Sequence, residues 1–127
     1  MESEMKMLPD LSSFTGTMEY HKLSLGSLKF TDGWAYLANK VQCFWLADLV
    51  CSVTHLKKIM EHEGFIIWRV VVKDSSAVVS AYYDCESDGS YHPRKCLYSQ
   101  DIKYTDFPEG EFEFYQSNGV VLLKGEY

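Results

Sequence analysis

Three aspartates are the residues of this chain best suited to acid–base chemistry. Asp32 and Asp106 each follow an aromatic residue and a threonine, and Asp48 interrupts the apolar segment 43–53. A carboxylate buried in such a segment must be hydrogen-bonded, paired or protonated. A general acid and a general base also need closely placed carboxyl groups with separated pKa values. One interpretation is therefore a small enzyme or ligand-binding protein with a carboxylate-lined pocket at Asp32, Asp48 and Asp106.

The two Thr-Asp phrases also have a structural interpretation, which the sequence favours. Thr and Asp side chains accept hydrogen bonds from free backbone N–H groups at helix starts and in turns. We predict that Thr31 or Asp32 caps a helix and that Thr105 and Asp106 order the turn before Pro108. Asp48 is expected to be buried, with structural hydrogen bonds. No catalytic residue is assigned, and a non-enzymatic protein is the favoured prediction.

The densest acidic run lies near the C-terminus, where residues 101–115 hold five acidic residues and one lysine. Alternate residues of a strand point to one face, which turns the glutamates outward and sends Phe112 and Phe114 to the core. Two interpretations stay open: an acidic edge strand that discourages aggregation, or a stripe that docks on a basic protein surface. The predicted partner-binding residues are Asp106, Glu109, Glu111 and Glu113.

The cysteines and histidines form no metal or thiol-enzyme motif. A zinc site would have to be assembled from His55, His62, Cys85, His92 and Cys96. Neither Cys-x-x-Cys nor His-Glu-x-x-His occurs among them, so we expect no metal and no cofactor. Cys43 and Cys51 lie in apolar surroundings and are expected in the core. Cys85 and Cys96 could face each other across a hairpin, although free thiols are the default expectation.

These residues would be positioned by a helical segment that follows two short strands and precedes a strand meander. Apolar spacings of three and four residues after Thr31 predict two helices that break near residues 39–42. A helical continuation over 55–63 would end at Gly64 as its C-cap. Period-two patterns and turn residues predict strands over 16–25, 28–30, 65–73, 77–84, 96–104, 111–116 and 120–123. The order indicates an α+β fold, an antiparallel sheet of about five to seven strands with two or three helices packed on one face.

Length and composition set the broader limits. A chain of 127 residues with 46% hydrophobic content suits one folded domain, expected at residues 11–127 after a flexible tail at 1–10. The net charge of −6 makes direct nucleic-acid binding unfavourable. No apolar run reaches the ~20 residues that cross a bilayer. We therefore expect no membrane contact and a cytoplasmic protein, and homo-oligomerisation stays open.

A set of short motifs gives the chain a family resemblance. The motifs are Phe14-Thr15-Gly16-Thr17, Phe30-Thr31-Asp32-Gly33, Phe44-Trp45-Leu46, Tyr104-Thr105-Asp106-Phe107-Pro108 and the terminal Glu126-Tyr127. In this order they resemble an uncharacterised family of short bacterial, plasmid and phage proteins, a domain of unknown function. The loop at residues 85–95 looks longer than the family pattern. The resemblance implies a mobile-element origin and no particular activity.

The leading prediction combines the acidic stripe with this resemblance. We expect a non-enzymatic, acidic protein-binding module of phage or plasmid origin. It would bind or inhibit a host protein, such as a nucleic-acid-binding defence component. The alternative remains the carboxylate-lined pocket of an enzyme or ligand binder.

Overall fold

The computed structural model describes residues 20–23 and 28–127. The expected tail at 1–10 and most of the strand expected at 16–25 lie outside these residues. The strands are β1 Lys29–Phe30, β2 Ile66–Lys73, β3 Ser76–Tyr82, β4 Cys96–Ile102, β5 Gly110–Ser117 and β6 Val120–Leu123. The helices are α1 Asp32–Val41, α2 Phe44–Val53 and α3 Lys57–Met60, with single 3-10 turns at Pro93–Lys95 and Lys124–Glu126.

The described strands form one six-stranded sheet in the order β1-β6-β5-β2-β3-β4. The α+β class is confirmed, with a strand number and a helix number inside the expected ranges. The sheet is mixed, however, because β1 runs parallel to β6 while the other neighbours are antiparallel. Nearly the whole domain separates β1 from β6, so no short turn forces them to run in opposite directions. The acidic strand β5 lies between β6 and β2, and the interpretation of it as an edge strand is wrong.

The first helix begins at a side-chain cap and ends at a left-handed residue. Thr31 is the N-cap of α1, and its Oγ1 accepts a hydrogen bond from the Trp34 N–H at 3.5 Å. Gln42 adopts a left-handed conformation with φ 56° and ends α1, which confirms the predicted break between two helices.

The predicted end of the third helix is wrong, because α3 stops at Met60 with Glu61 as its C-cap rather than Gly64. The carbonyls further on are satisfied by the β5–β6 turn instead of a left-handed cap. The Asn118 N–H donates to the Glu63 carbonyl at 2.8 Å, and Ser117 Oγ donates to the Gly64 carbonyl at 2.8 Å.

Two tight hairpins set the register of the sheet. The β2–β3 turn has positive φ at Asp74 and Ser75, 53° and 64°, and the β5–β6 turn has 49° at Asn118 and 84° at Gly119. Positive φ at both central residues is typical of the type I′ turn, whose twist matches that of the flanking strands. The turn predicted at Asn118-Gly119 is confirmed.

The core lies between the described helices and one face of the sheet, which we call the inner face. Trp34 of α1 packs edge-on against Phe114 of β5 at 5.2 Å, and Phe114 stacks on Trp68 of β2 at 6.1 Å. All three rings are fully buried. Trp68 Nε1 donates to Gln116 Oε1 at 3.0 Å, which satisfies two buried polar groups. Cys43 and Cys51 are buried, as predicted.

Candidate binding face of the sheet

The opposite face of the sheet, which we call the outer face, carries aromatic and charged side chains. The described helices bury their apolar residues in the core on the inner face. Alternation along β2 and β5 therefore turns Arg69, Glu111, Glu113 and Tyr115 away from that core. These side chains fall into two groups, an arginine cluster and an aromatic cluster.

The arginine cluster consists of Arg69, Glu111, Glu113, Tyr91 and Lys124. Arg69 lies opposite Glu113 in the β2–β5 register, and its Nη2 donates to Glu111 Oε1 while its Nε is 3.5 Å from Glu113 Oε2. Lys124 Nζ donates to Glu113 Oε1 at 3.1 Å. This contact raises the pKa of the Lys124 amine. Because two cations pair with the two glutamates, this part of the predicted acidic stripe is charge-compensated.

Tyr91 reaches the arginine cluster from the loop at residues 83–95. Its ring packs on Tyr82 at 4.8 Å, and the Arg69 guanidinium lies over it at 5.2 Å. Burial, followed by the neighbouring Glu113 carboxylate, raises the pKa of the Tyr91 hydroxyl. The loop is held by Lys95, whose Nζ pairs with Glu86 Oε2 at 2.8 Å. This hydrogen bond lowers the pKa of the Glu86 carboxyl and raises that of the Lys95 amine.

The aromatic cluster consists of Phe65, Tyr115 and Tyr127. The Phe65 ring lies 4.9 Å from Tyr115 and 5.1 Å from Tyr127, and the two tyrosines lie 5.4 Å apart, edge to face. Tyr127 remains 71% exposed. Stacking therefore fixes the rings relative to one another while the cluster stays accessible to solvent.

A groove of about 470 Å³ opens where β5 extends past β6. β6 pairs only with residues 114–117 of β5, so the first half of β5 has no β6 partner. The groove is lined by Glu111, Phe112, Glu113, Leu123, Lys124 and Gly125. It thus combines the arginine-cluster carboxylates with two apolar side chains.

The four predicted partner-binding residues do not form one stripe. Glu111 and Glu113 lie together in the arginine cluster. Glu109 lies at the β2–β3 turn, where its Oε1 accepts a hydrogen bond from the Asp74 N–H at 3.2 Å. Asp106 lines a second groove, described below, with residues of α2 and of the β4–β5 connection. Sequence reasoning missed Arg69 and Tyr91, although the alternation in β2 already placed a charged residue inside a Val-rich strand.

The three aspartates of the alternative pocket occupy different settings. Asp32 Oδ1 is 2.8 Å from His21 Nε2 at the start of α1. Asp48 is exposed on α2, so its predicted burial is wrong: the helix turns it outward between the buried Ala47 and Leu49. Asp106 lines a groove of about 330 Å³ to which neither Asp32 nor Asp48 contributes.

The two Thr-Asp phrases act as the structural interpretation predicts. Thr105 Oγ1 accepts a hydrogen bond from the Phe107 N–H at 3.1 Å and orders the turn before Pro108. Thr31 caps α1 and donates to the Glu126 carboxylate, which also accepts from the Gly33 N–H at 3.2 Å and the Leu123 N–H at 3.0 Å. A Cβ at Gly33 would lie 2.5 Å from Leu123 Cδ1 and 2.9 Å from Glu126 Oε1, so any larger residue there would force these side chains of the C-terminal segment to shift.

Other chemistry gains no support from the described residues. Cys85 and Cys96, which could have paired across a hairpin, are free thiols. Within residues 20–23 and 28–127, no group of three or more His, Cys, Asp or Glu residues could hold a metal ion. In the same part of the chain, no helix has the length and apolar character needed to cross a membrane.

The fold and the outer face of the sheet define the class of protein. It is a small α+β protein with helices on one side of a mixed sheet and an aromatic, charged surface on the other. The chain belongs to a family of unknown function, DUF6876, whose model matches residues 5–127. The resemblance to an uncharacterised family is thereby confirmed. No curated protein and no solved structure matches the chain.

Proposed function

We propose that this protein is a non-enzymatic binding module that engages a protein partner through the outer face of its sheet. The observation that carries the proposal is the pairing of the aromatic cluster with the arginine cluster on a face opposite the described helices. We further propose a phage or plasmid origin and inhibition of a host protein, such as a nucleic-acid-binding defence component. The motif resemblance to mobile-element proteins supports this second step.

The amino-acid types on the outer face are those enriched at the centres of protein interfaces. Tyrosine and arginine dominate the residues that carry most of the binding energy. Tyr115 and Tyr127 offer large contact areas with few rotatable bonds, and their mutual packing removes part of the remaining freedom before a partner arrives. A preordered aromatic surface loses little conformational entropy on binding.

The charges of the arginine cluster favour a defined orientation of the partner. Arg69 and Lys124 hold Glu113 between them, and Glu111 keeps 62% of its side chain exposed. Carboxylates fixed in this way accept hydrogen bonds from a partner's basic groups with little rearrangement. The acidic-stripe hypothesis therefore becomes more specific: Glu111 and Glu113 set register beside the aromatic cluster, and they are not the main source of affinity.

Affinity capture with matched variants tests the proposal. The wild-type chain, the outer-face variant Tyr115→Ser/Tyr127→Ser and the control Tyr36→Ser are used as baits in lysate of the native host. Tyr36 is a good control because it is 37% exposed and lies on helix α1. We expect a stoichiometric partner with the wild type and the control but not with the outer-face variant. Equal capture of the partner by all three baits would show that the outer face is not the binding surface.

The alternative of a small enzyme or ligand-binding protein is favoured by one observation, the groove beside Asp106. The pocket proposed from Asp32, Asp48 and Asp106 would have to bring all three carboxylates to one ligand. If the three carboxylates do bind one ligand, each of three substitutions should weaken the binding of that ligand: Asp32→Asn, Asp48→Asn and Asp106→Asn. A ligand sensitive only to Asp106→Asn would exclude the three-carboxylate pocket.

A further inference from the structure

We infer that the second groove, which we call the Trp45 groove, binds the alkylammonium group of a lysine side chain from a peptide segment of a partner. The groove is lined by Trp45, Ile102, Tyr104, Thr105 and Asp106 and has a volume of about 330 Å³. The inference does not rest on the outer-face clusters, because these residues belong to α2, the end of β4 and the β4–β5 connection.

The backbone holds Tyr104 and Asp106 side by side on the solvent side of this connection. Exposure alternates along it: Tyr104 and Asp106 are exposed, whereas Thr105 and Phe107 are buried. The Thr105 N–H donates to the Ser75 carbonyl at 2.8 Å. The hydrogen bond from the Phe107 N–H to Thr105 Oγ1 closes the next turn. The segment is thus anchored before any ligand binds.

Trp45, on helix α2, is the second aromatic residue that lines the groove. Phe107, inserted in the core, packs edge-on against the indole at 6.4 Å and 84°. Trp45 is half-buried, so part of its ring lines the groove. Tyr104 is 77% exposed, the highest value among the exposed large hydrophobic side chains of the described residues. Such an exposed ring next to a groove wall suits contact with a ligand.

The lining of the groove matches a cation on an alkyl stem. Indole and phenol faces attract ammonium and guanidinium groups, and the attraction grows as the cation loses water. Asp106 adds an acidic residue to the lining, and Ile102 offers an apolar contact for methylenes. The chain already uses ring–cation contacts elsewhere: Lys40 lies 5.7 Å from the centroid of the Tyr36 ring, and Arg69 lies over Tyr91.

Size and charge decide among ligand classes. A volume of about 330 Å³ is at the low end for small-molecule pockets, which suits a single side chain better than a cofactor. The net charge of −6 draws cations and repels phosphates. The exposed side chains of Tyr104 and Asp106 leave room for the backbone of a peptide beside the groove, which favours lysine within a peptide over a free ammonium ion.

The Trp45 indole N–H signal in a ¹H–¹⁵N NMR spectrum provides the test. A Trp45→Phe variant assigns this signal, and the other two tryptophans, Trp34 and Trp68, are fully buried and out of a ligand's direct reach. The full chain is titrated with acetyl-Gly-Lys-Gly-amide, its Gln counterpart and methylammonium. We expect the lysine peptide, but not the glutamine peptide, to shift the signal with saturation, and methylammonium to bind more weakly than the lysine peptide. An equal response to the glutamine peptide, no response to lysine, or methylammonium binding as tight as the peptide would overturn the inference.

Matched variants separate ring and carboxylate contributions. Tyr104→Ala should weaken the binding of the lysine peptide by about threefold to tenfold. Tyr104→Phe should retain most of the affinity, because the ring face remains. Asp106→Asn should weaken binding and reduce its dependence on salt. Tyr36→Ala, at an exposed aromatic residue that does not line the groove, should leave the affinity for the lysine peptide unchanged. Thermal unfolding of each variant verifies the fold, and lysine binding unaffected by Tyr104→Ala in a folded protein would contradict the proposed site.

Discussion

The two faces of the sheet are both aromatic, yet their aromatic residues differ in chemistry and in surroundings. On the inner face, Trp68 and Phe114 stack in a fully buried core. On the outer face, Tyr115 and Tyr127 pack on Phe65 and keep contact with solvent. The tyrosine hydroxyl groups contribute to the difference, because a phenol needs water or a hydrogen-bond partner and a phenyl ring does not. The alternation of side chains along the strands thus gives the sheet an inner face that stabilises the fold and an outer face that we propose for binding.

The largest expected effect comes from removing an inner-face ring. Trp68→Ala should lower the free energy of unfolding by about 3–5 kcal/mol, because it opens a cavity and leaves Gln116 without its hydrogen-bond donor. Urea denaturation followed by circular dichroism measures the change. The outer-face variant Tyr115→Ala, with a half-buried ring, should cost about 1 kcal/mol. Equal losses for the two variants would refute the distinction between the faces.

The second prediction concerns the C-terminal segment, which sends Leu123 to the core and Tyr127 to the outer face. Glu126→Ala should lower the free energy of unfolding by about 1–2 kcal/mol, because the Gly33 and Leu123 N–H groups lose their acceptor at the helix start. Gly33→Ala should lower the free energy of unfolding by a similar amount, because the added Cβ would clash with the Leu123 side chain. Glu109→Ala, which removes a single exposed contact, is the matched control and should change stability by less than about 0.5 kcal/mol.

The third prediction follows from the raised pKa of Tyr91 and concerns the loss of stability at alkaline pH. Folding favours its protonated form, so its contribution to stability is complete below the ordinary tyrosine pKa of 10.0 and declines as the pH rises above that value. Phenolate absorbance of the folded protein should show one tyrosine that ionises at higher pH than the others. Tyr91→Phe should remove that late component and flatten the alkaline loss of stability. If the late component persisted in this variant, Tyr91 would not be the tyrosine with the raised pKa.

The smallest expected change in stability belongs to Glu111. Glu111→Gln should alter the free energy of unfolding by less than about 0.5 kcal/mol, because its ion pair with Arg69 is largely exposed and screened. Its effect should appear in partner association, where loss of an oriented charge slows binding and reduces its salt dependence. Stopped-flow association at two ionic strengths measures this. If the association rate of the variant depended on salt as that of the wild type does, Glu111 would not contact the partner.

Local chemistry in the sequence predicted most individual elements but not their arrangement. The helix break at Gln42 and the turn at Asn118-Gly119 follow from residue type and spacing. The parallel β1–β6 pair and the interior place of β5 depend on contacts between distant segments. Alternation tells which residues share a face, and it does not tell which strand lies beside them. The pairing of Arg69 with Glu113 was therefore beyond the sequence alone.

The candidate site was less predictable for the same reason. The outward orientation of Glu111 and Glu113 followed from alternation, but their neutralisation by Arg69 and Lys124 came from strand neighbours and from the C-terminal turn. Asp48 was misjudged because an apolar helix still has one solvent-facing side. Tyr91 reaches the sheet on a polar loop whose path no periodicity reveals.

Isothermal titration of the purified captured partner tests the central claim, that the outer face is the contact surface. The wild type, Tyr115→Ser/Tyr127→Ser and the control Tyr36→Ser are compared after unfolding curves have shown all three to be folded. Loss of a central tyrosine pair should weaken the Kd by at least about thirtyfold, whereas the control should stay within about twofold of the wild type. A folded outer-face variant that binds as tightly as the wild type would contradict the account.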